Sequence, residues 1–296
     1  LVGRATAGTL TELDGIGSST GAVITAGALG LPCAYLERLE RETRIDPGVG
    51  ADLAARLRGD CHTHTTWSDG GASLEQMARA AMALGHEYLV VTDHSPRLTI
   101  AHGLSPERLR EQLAEIATWN ERLAPFRILT GMEVDILVDG SLDLEDSLLE
   151  QLDVVVASVH SKLSMPRDEM TRRMVLAVAS PHVDILGHCT GRKVVGRGRP
   201  ASAFDAELVF AACARFGTAV EINCRPERQD PPEELLTLAV EWGCDISIDT
   251  DAHAPGQLEW LPYGADKAVR CGVPAERIVN TRDADGLLAW TATHAA

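Results

Sequence analysis

Residues 59–70 read GDCHTHTTWSDG, with His62 and His64 one residue apart and Asp69 following, between glycines. Side chains at i and i+2 of a strand share a face, so two of the chain's ten histidines would leave one strand end in the same direction. A strand edge with polar residues on one face would also explain this stretch taken alone. The pattern recurs, however. The apolar runs EYLVVTDH (87–94), FRILTGMEV (126–134), LDVVVASVH (152–160), VDILGHC (183–189), GTAVEIN (217–223) and CDISIDTDAH (244–253) join RLRGDCHTH (56–64) as seven strand candidates. Between them lie amphipathic patterns such as SLEQMARAAMALG, SPERLREQLAEIATWNERL, DEMTRRMVLAVA and DAELVFAACARFG. Ser73 with Gln76, and Ser105 with Pro106, mark two helix starts. Strands apolar on both faces and spaced by helices predict right-handed βαβ units and a parallel sheet, which seven repeats can close into a barrel.

Each run ends in a polar group able to bind a metal or support one that does. These are His62 and His64, Asp93 and His94, Glu133, His160, His188, Glu221 and Asn223, then Asp249, Asp251 and His253. In a parallel barrel these C-terminal ends open on one mouth, where active sites lie. One histidine after a strand is ordinary packing, but six on one rim are not expected by chance. His86, His102, His182 and His294 fall in helices, loops or the tail and are read as surface or structural residues. The mixed imidazole and carboxylate set lacks thiolates, which suits zinc, manganese or iron rather than a structural zinc module. It has too many donors for one tetrahedral ion and fits two or three divalent ions sharing a carboxylate, with Glu133 central.

Composition narrows the class. The chain has 296 residues, 45% hydrophobic and 4% aromatic, so its core must rest on aliphatic side chains. No apolar run has the length of a membrane span and LVGRATAGTL lacks a signal-peptide pattern, so no membrane partner and a cytoplasmic location are expected. Seven singly spaced cysteines argue against a disulfide framework, and Cys61, Cys189 and Cys224 read as packing residues. The net charge of -16 opposes non-specific binding to nucleic acid but not a local basic patch.

The ordered set DCHTHTTWSDG, VVTDHSP, GMEVDI, ASVHS, LGHCTGR, VEINCRPERQDPP and IDTDAH resembles the polymerase and histidinol phosphatase (PHP) family, most closely the C-terminal PHP domain of bacterial family X DNA polymerases. The resemblance covers residues 57–296 and implies a distorted (β/α)7 barrel with a trinuclear metal centre. Carried onto this chain, it implies one ion held by His62, His64, Glu133 and Asp251. A second would lie on Glu133, His160 and His188, and a third on Asp69, His94 and His253. All nine positions carry residues able to coordinate. The catalytic set is then His62, His64, Glu133, His160, Asp251 and His253; candidates for protonating the leaving oxygen, such as His253 or Asp249, are not separable in sequence from ligands or supporting residues. Arg192, Lys193, Arg225 and Arg228 are expected to bind the substrate phosphate, with Arg197 and Arg199 farther along.

Residues 1–50 are Gly- and Ala-rich and predict a small helical unit. LTELDGIGSSTGAVITAGAL reads as two helices joined by Gly-Ile-Gly, PCAYLERLERET as a third, and IDPGVGADL as a hinge into the main domain. The segment resembles the helix-hairpin-helix that precedes the polymerase part of family X enzymes, which would make residues 10–30 a weak DNA contact through backbone amides. Asp14 stands where that motif usually has proline. Fifty-six residues are too few for a nucleotidyl-transfer domain, so polymerisation is not expected of this chain. The expected activity is metal-assisted phosphoester hydrolysis of a phosphorylated substrate, at DNA phosphodiester ends in the manner of a 3'-5' exonuclease. The alternative is a phosphomonoesterase on a small metabolite such as histidinol phosphate. A non-catalytic DNA- or partner-binding module is the reading from another class.

Overall fold

A computed structural model describes residues 2–33, 35 and 48–294. The chain forms two compact units, Leu1–Asp46 and Pro47–Ala296. In the first, helices Val2–Ala7 and Ser18–Leu29 flank a 3-10 turn, Leu10–Glu12. The expected helix before Gly-Ile-Gly is therefore only that turn, because Gly8 and Gly15 both take positive φ on either side of it and leave too few residues for an α-helical turn to propagate. Helix Ser18–Leu29 does form and ends on left-handed Gly30. The third helix read over 32–43 falls almost wholly outside the described residues.

The second unit holds seven parallel strands in sequence order, β1 (Gly59–Thr63), β2 (Tyr88–Val91), β3 (Arg127–Asp135), β4 (Val154–Ser158), β5 (Ile185–Leu186), β6 (Ala219–Asn223) and β7 (Ile246–Asp249). All seven sequence runs form strands, and every consecutive pair is parallel. The helices start where the sequence marks them. Ser73 and Gln76 form a reciprocal capping box, and the Ser105 side chain accepts from Arg108 N ahead of helix Pro106–Leu123. Of the segment expected to act as a hinge, the described residues from Gly48 onward pack within the second unit. Val49 N donates to Asp266 Oδ1, and Gly50 lies so close to helix Leu261–Arg270 that a Cβ there would sit 2.2 Å from Asp266 N.

The period of two explains the barrel's interior. Val134, Val155, Ile222 and Ile248 pack outward with the helices in one cluster. On the alternate positions Tyr88, Val90, Leu129, Val154, Val156, Ile185 and Ala219 pack together and are closed below by Leu287 and Trp290 of helix Ala284–Thr291. Further along those same faces come Glu133, Ser158, Glu221 and Asp249, all buried. The interior is thus apolar over its lower half and polar over its upper half.

The seam between β7 and β1 closes largely through side chains. Cys61 N donates to Asp249 Oδ1 at 2.9 Å, and Thr250 N and His62 N donate to Asp60. Asn280, fully buried, donates from Nδ2 to Gly59 O (3.1 Å) and Ile248 O (2.5 Å) and accepts from Ile248 N (3.2 Å). Above these, His64 N donates to Ala252 O at 2.8 Å. Burial pushes the Asp60 carboxyl up to about 7 against the hydrogen bonds it accepts, and burial and the charge of Asp60 push Asp249 upward. Asp249 therefore belongs to the seam and not to the mouth where the sequence also allowed it.

Replacing Asn280 strands three backbone groups in the dry seam. Asn280→Ala should cost about 2–4 kcal/mol, read as a lower urea midpoint at unchanged m-value. A loss below about 0.5 kcal/mol would contradict the side-chain closure of the barrel.

Candidate metal centre

Glu133, at the polar end of β3, is 1% exposed and lies among five imidazoles. His160 Nε2 and His188 Nε2 stand 3.1 and 2.8 Å from its Oε1. His62 Nε2, His64 Nε2 and His94 Nδ1 stand 3.3, 3.6 and 2.9 Å from its Oε2. The other ring nitrogen of His94 faces Asp69 Oδ1 at 3.5 Å, and His253 Nε2 reaches the same oxygen at 3.4 Å. Asp251 Oδ1 lies 3.4 Å from His64 Nε2 and 3.5 Å from His253 Nδ1. All nine residues expected to coordinate therefore meet at one end of the barrel.

A surrounding layer fixes them. Glu221 Oε1 is 2.5 Å from His62 Nδ1, and its Oε2 accepts from His188 N and from Asn223 Nδ2. Asn223 Nδ2 also reaches Asp251 Oδ2 (3.1 Å), as does Arg228 Nε (3.1 Å). Asp135 accepts from His160 N at 3.1 Å. The sequence reading passed over Asp135, although it sits two residues beyond Glu133 on the same strand face. Asp93, read as a strand-end candidate, points elsewhere. It accepts from Thr65 N and Oγ1, Ser68 N and Oγ, and Gln112 Nε2, and so shapes the loop that presents Asp69. His86, His102, His182 and His294 stay out of the cluster, and His294 pairs with Asp184 at 2.8 Å.

The electrostatics pull the ligands apart. Burial lowers His64 strongly, aided by the positive charge of His253 and His94. Burial works the same way on His160, yet Glu133 and Asp135 outweigh it and raise that ring to about 9. Glu133 is held well below the carboxylate range, its burial overcome by His160, His62 and His94. Asp69 is brought down to about 2, its burial outweighed by His253, His94 and His64. Protons alone cannot satisfy five rings around one carboxylate. Buried His62 Nε2, both nitrogens of His64, and Nδ1 of His188 have no hydrogen-bond partner. Such nitrogens beside carboxylate oxygens fit divalent ions, and His62, His64 and Glu133 form one of three donor groups among the described residues whose atoms lie within 4.8 Å of one another.

A cleft of about 550 Å³ opens above the cluster, with Asp69, His94, His160, Asp251 and His253 on its floor and Lys193, Arg225 and Arg228 on one wall. Burial and the charges of Arg228, Arg199 and Arg225 hold Lys193 below the ordinary amine range. Arg192, expected beside the substrate phosphate, is turned away. Its Nε donates to Arg228 O at 3.1 Å and an Nη2 hydrogen goes to Gln229 O, so it braces the loop after β6 from behind. Lys267, which burial lowers to about 8, donates to Gln229 O and Pro231 O in the same loop. Arg199 donates to Gly191 O, and Arg197 is exposed.

The PHP domain family matches residues 60–241. The chain is 39% identical over 227 residues to the DNA polymerase/3'-5' exonuclease PolX of Bacillus subtilis (strain 168), a match covering 77% of this chain and 40% of that protein. A probable phosphatase of Thermoanaerobacter sp. (strain X514) is 29% identical over 233 residues, 75% of this chain and 89% of the relative. The histidinol phosphate phosphatase of Lactococcus lactis subsp. lactis Il1403, solved with zinc, L-histidinol and phosphate, shares the fold at TM-score 0.51 and 17% identity, over 73% of this chain and 94% of that one. Among the described residues no helix is long and apolar enough to cross a membrane.

Coordination requires bare ring nitrogens, so loading the protein with manganese at pH 7.5 should release protons from His62 and His160, both raised against burial by neighbouring carboxylates, His160 to about 9. Metal affinity should then rise with pH up to about 9. Calorimetry in buffers of different ionisation enthalpy measures the proton count, and zero would contradict this charge state. Glu133→Gln should retain less than about a tenth of the metal of the parent after dialysis against a weak chelator.

Proposed function

The chain belongs to the PHP domain family, and on that premise we propose that it is a metal-dependent phosphoester hydrolase acting on DNA phosphodiester ends. The observation that carries the reading is the division of Glu133, whose Oε2 faces His62 and His64 while its Oε1 faces His160 and His188. A carboxylate so placed suits a bridge between two ions. His62, His64, Glu133 and Asp251 would hold the first and Glu133, His160 and His188 the second. Asp69, His94 and His253, whose facing atoms are Oδ1 and the two Nε2, would hold a third. The chemistry such ions supply is acidification of water and neutralisation of phosphoryl charge.

The chain's own groups do the rest. Arg228 fixes Asp251 through Nε and keeps a buried Nη1 without a partner, a donor suited to a phosphoryl oxygen. Arg225 Nη1 lies 3.0 Å from His253 Nδ1 and orients that ring. Lys193, on the same wall, adds a second cation at the mouth. His253 lines the cleft with Nε2 toward Asp69 and Nδ1 toward Arg225, which suits it to ligation rather than to proton transfer.

Phosphodiester ends are favoured by the 39% identity to a protein named as a 3'-5' exonuclease. A small phosphomonoester is the second reading, favoured by the net charge of -16 and by the probable phosphatases that this chain matches over most of their length. The amides of Gly15 and Gly17, ahead of helix Ser18–Leu29, are the proposed weak DNA contact, that of Ile16 being given to Leu13 O.

The manganese-loaded protein should shorten 3'-ended oligonucleotides stepwise, and His160→Ala should cut that rate by about 100-fold or more. Phosphate release from histidinol phosphate and other monoesters with no shortening of DNA would select the second reading. No metal-dependent turnover of either would leave only a binding module.

A further inference from the structure

Two loops rise over the cleft, and each carries an aliphatic side chain that folding leaves uncovered. Ile100, in the loop after β2, is 88% exposed, and Val195, in the loop after β5, is 56% exposed. Both line the cleft whose floor is the His and Asp cluster, together with Leu98. A large aliphatic residue exposed singly is common, but two lining one cleft add apolar surface beside its polar floor.

Both loops are held in place. Ser95 Oγ and Arg97 N donate to Asp143 Oδ2 at 2.9 and 2.6 Å, and Arg108 Nη1 donates to His102 O at 2.8 Å. In the second loop Lys193 and Arg199 exchange backbone hydrogen bonds of 2.9 and 2.8 Å, and Val194 N donates to Glu227 O at 2.7 Å. That last bond ties the loop to the segment carrying Arg225 and Arg228. Val195 and the cations therefore share one preformed wall, and Ile100 lines the same cleft. Glu227 is the acidic group on it, 3.9 Å from Arg225 Nε.

We propose that Ile100 and Val195 are specificity residues that grip the base of the terminal nucleotide while its phosphodiester lies over the cluster beside Arg225 and Arg228. This rests on the phosphodiester reading above. A base presents an uncharged, apolar face whatever its identity, which suits aliphatic jaws that offer no base-specific donor or acceptor. The cleft's volume is within the range of sites for ligands of nucleotide size. Charge fixes the phosphate end and apolar contact fixes the base end, so the recognised unit is a nucleotide of any sequence and not a bare phosphate.

The test compares two single-stranded oligonucleotides that differ only in the 3'-terminal unit, one with thymine and one abasic, using the full manganese-loaded chain and the double variant Ile100→Ser with Val195→Ser. Both positions are solvent-exposed, and circular dichroism verifies the fold. The parent should show a KM about tenfold lower for the base-bearing end, and the variant should bring that ratio close to one. Equal KM values in the parent, or a preference undiminished in the variant, would overturn the proposal while leaving the phosphodiester reading intact. If the parent cuts neither oligonucleotide yet hydrolyses phosphomonoesters, the phosphodiester reading fails and the proposal fails with it.

Discussion

One buried carboxylate organises the upper half of this barrel. Glu133 sits within 3.6 Å of five imidazoles that arrive from β1, β2, β4 and β5. Removing charge from water is costly unless partners replace the hydration. Here the partners outnumber the charge they surround, and no distribution of protons suits them all, as the opposite shifts of His64 and His160 record. Divalent cations on the ring nitrogens would relieve that conflict. The cluster is therefore a site whose stability is coupled to its chemistry.

Such a cluster needs a rigid frame, which the strands provide by switching the same inward face from apolar to polar at mid-height. Below the switch Tyr88, Leu129 and Val156 pack tightly, and Trp290 closes the end. At the β7–β1 seam the ordinary ladder gives way to Asp60, Asp249 and Asn280. Side chains can space two strands differently from backbone pairing, and this seam lies directly beneath His62 and Asp251. A second frame lies outside the cluster, where Asp93 gathers the loop of Asp69 while Arg192 and Lys267 brace from behind the loop of Arg225 and Arg228.

The strands and the residues of the cluster were legible in the sequence because both follow from local rules. Seven apolar runs gave seven strands, and alternation at i, i+2 placed His62 with His64, whereas Asp251, past the end of β7 with φ 53°, meets His253 through the loop. Helix starts were legible too, since Ser73 with Gln76 and Ser105 with Arg108 cap through neighbours in the chain. Where competing local signals were close, the reading failed. LTELDG carries helical spacing, but Gly8 and Gly15 at positive φ confine it to a 3-10 turn.

By itself, then, the sequence determined the number of strands, their parallel order and the identity of the polar residues that meet at their ends. Only the tertiary structure decided which polar side chains turn into the cluster and which brace it from outside. Asp93, Asp249 and Arg192 carry the same chemistry as Asp69, Asp251 and Arg228. The direction each one points depends on hydrogen-bond partners far away in the chain, such as Gln112 for Asp93, Cys61 for Asp249 and the carbonyl of Gln229 for Arg192. A spacing rule operates over a few residues, whereas a buried polar group goes wherever folding brings it a partner.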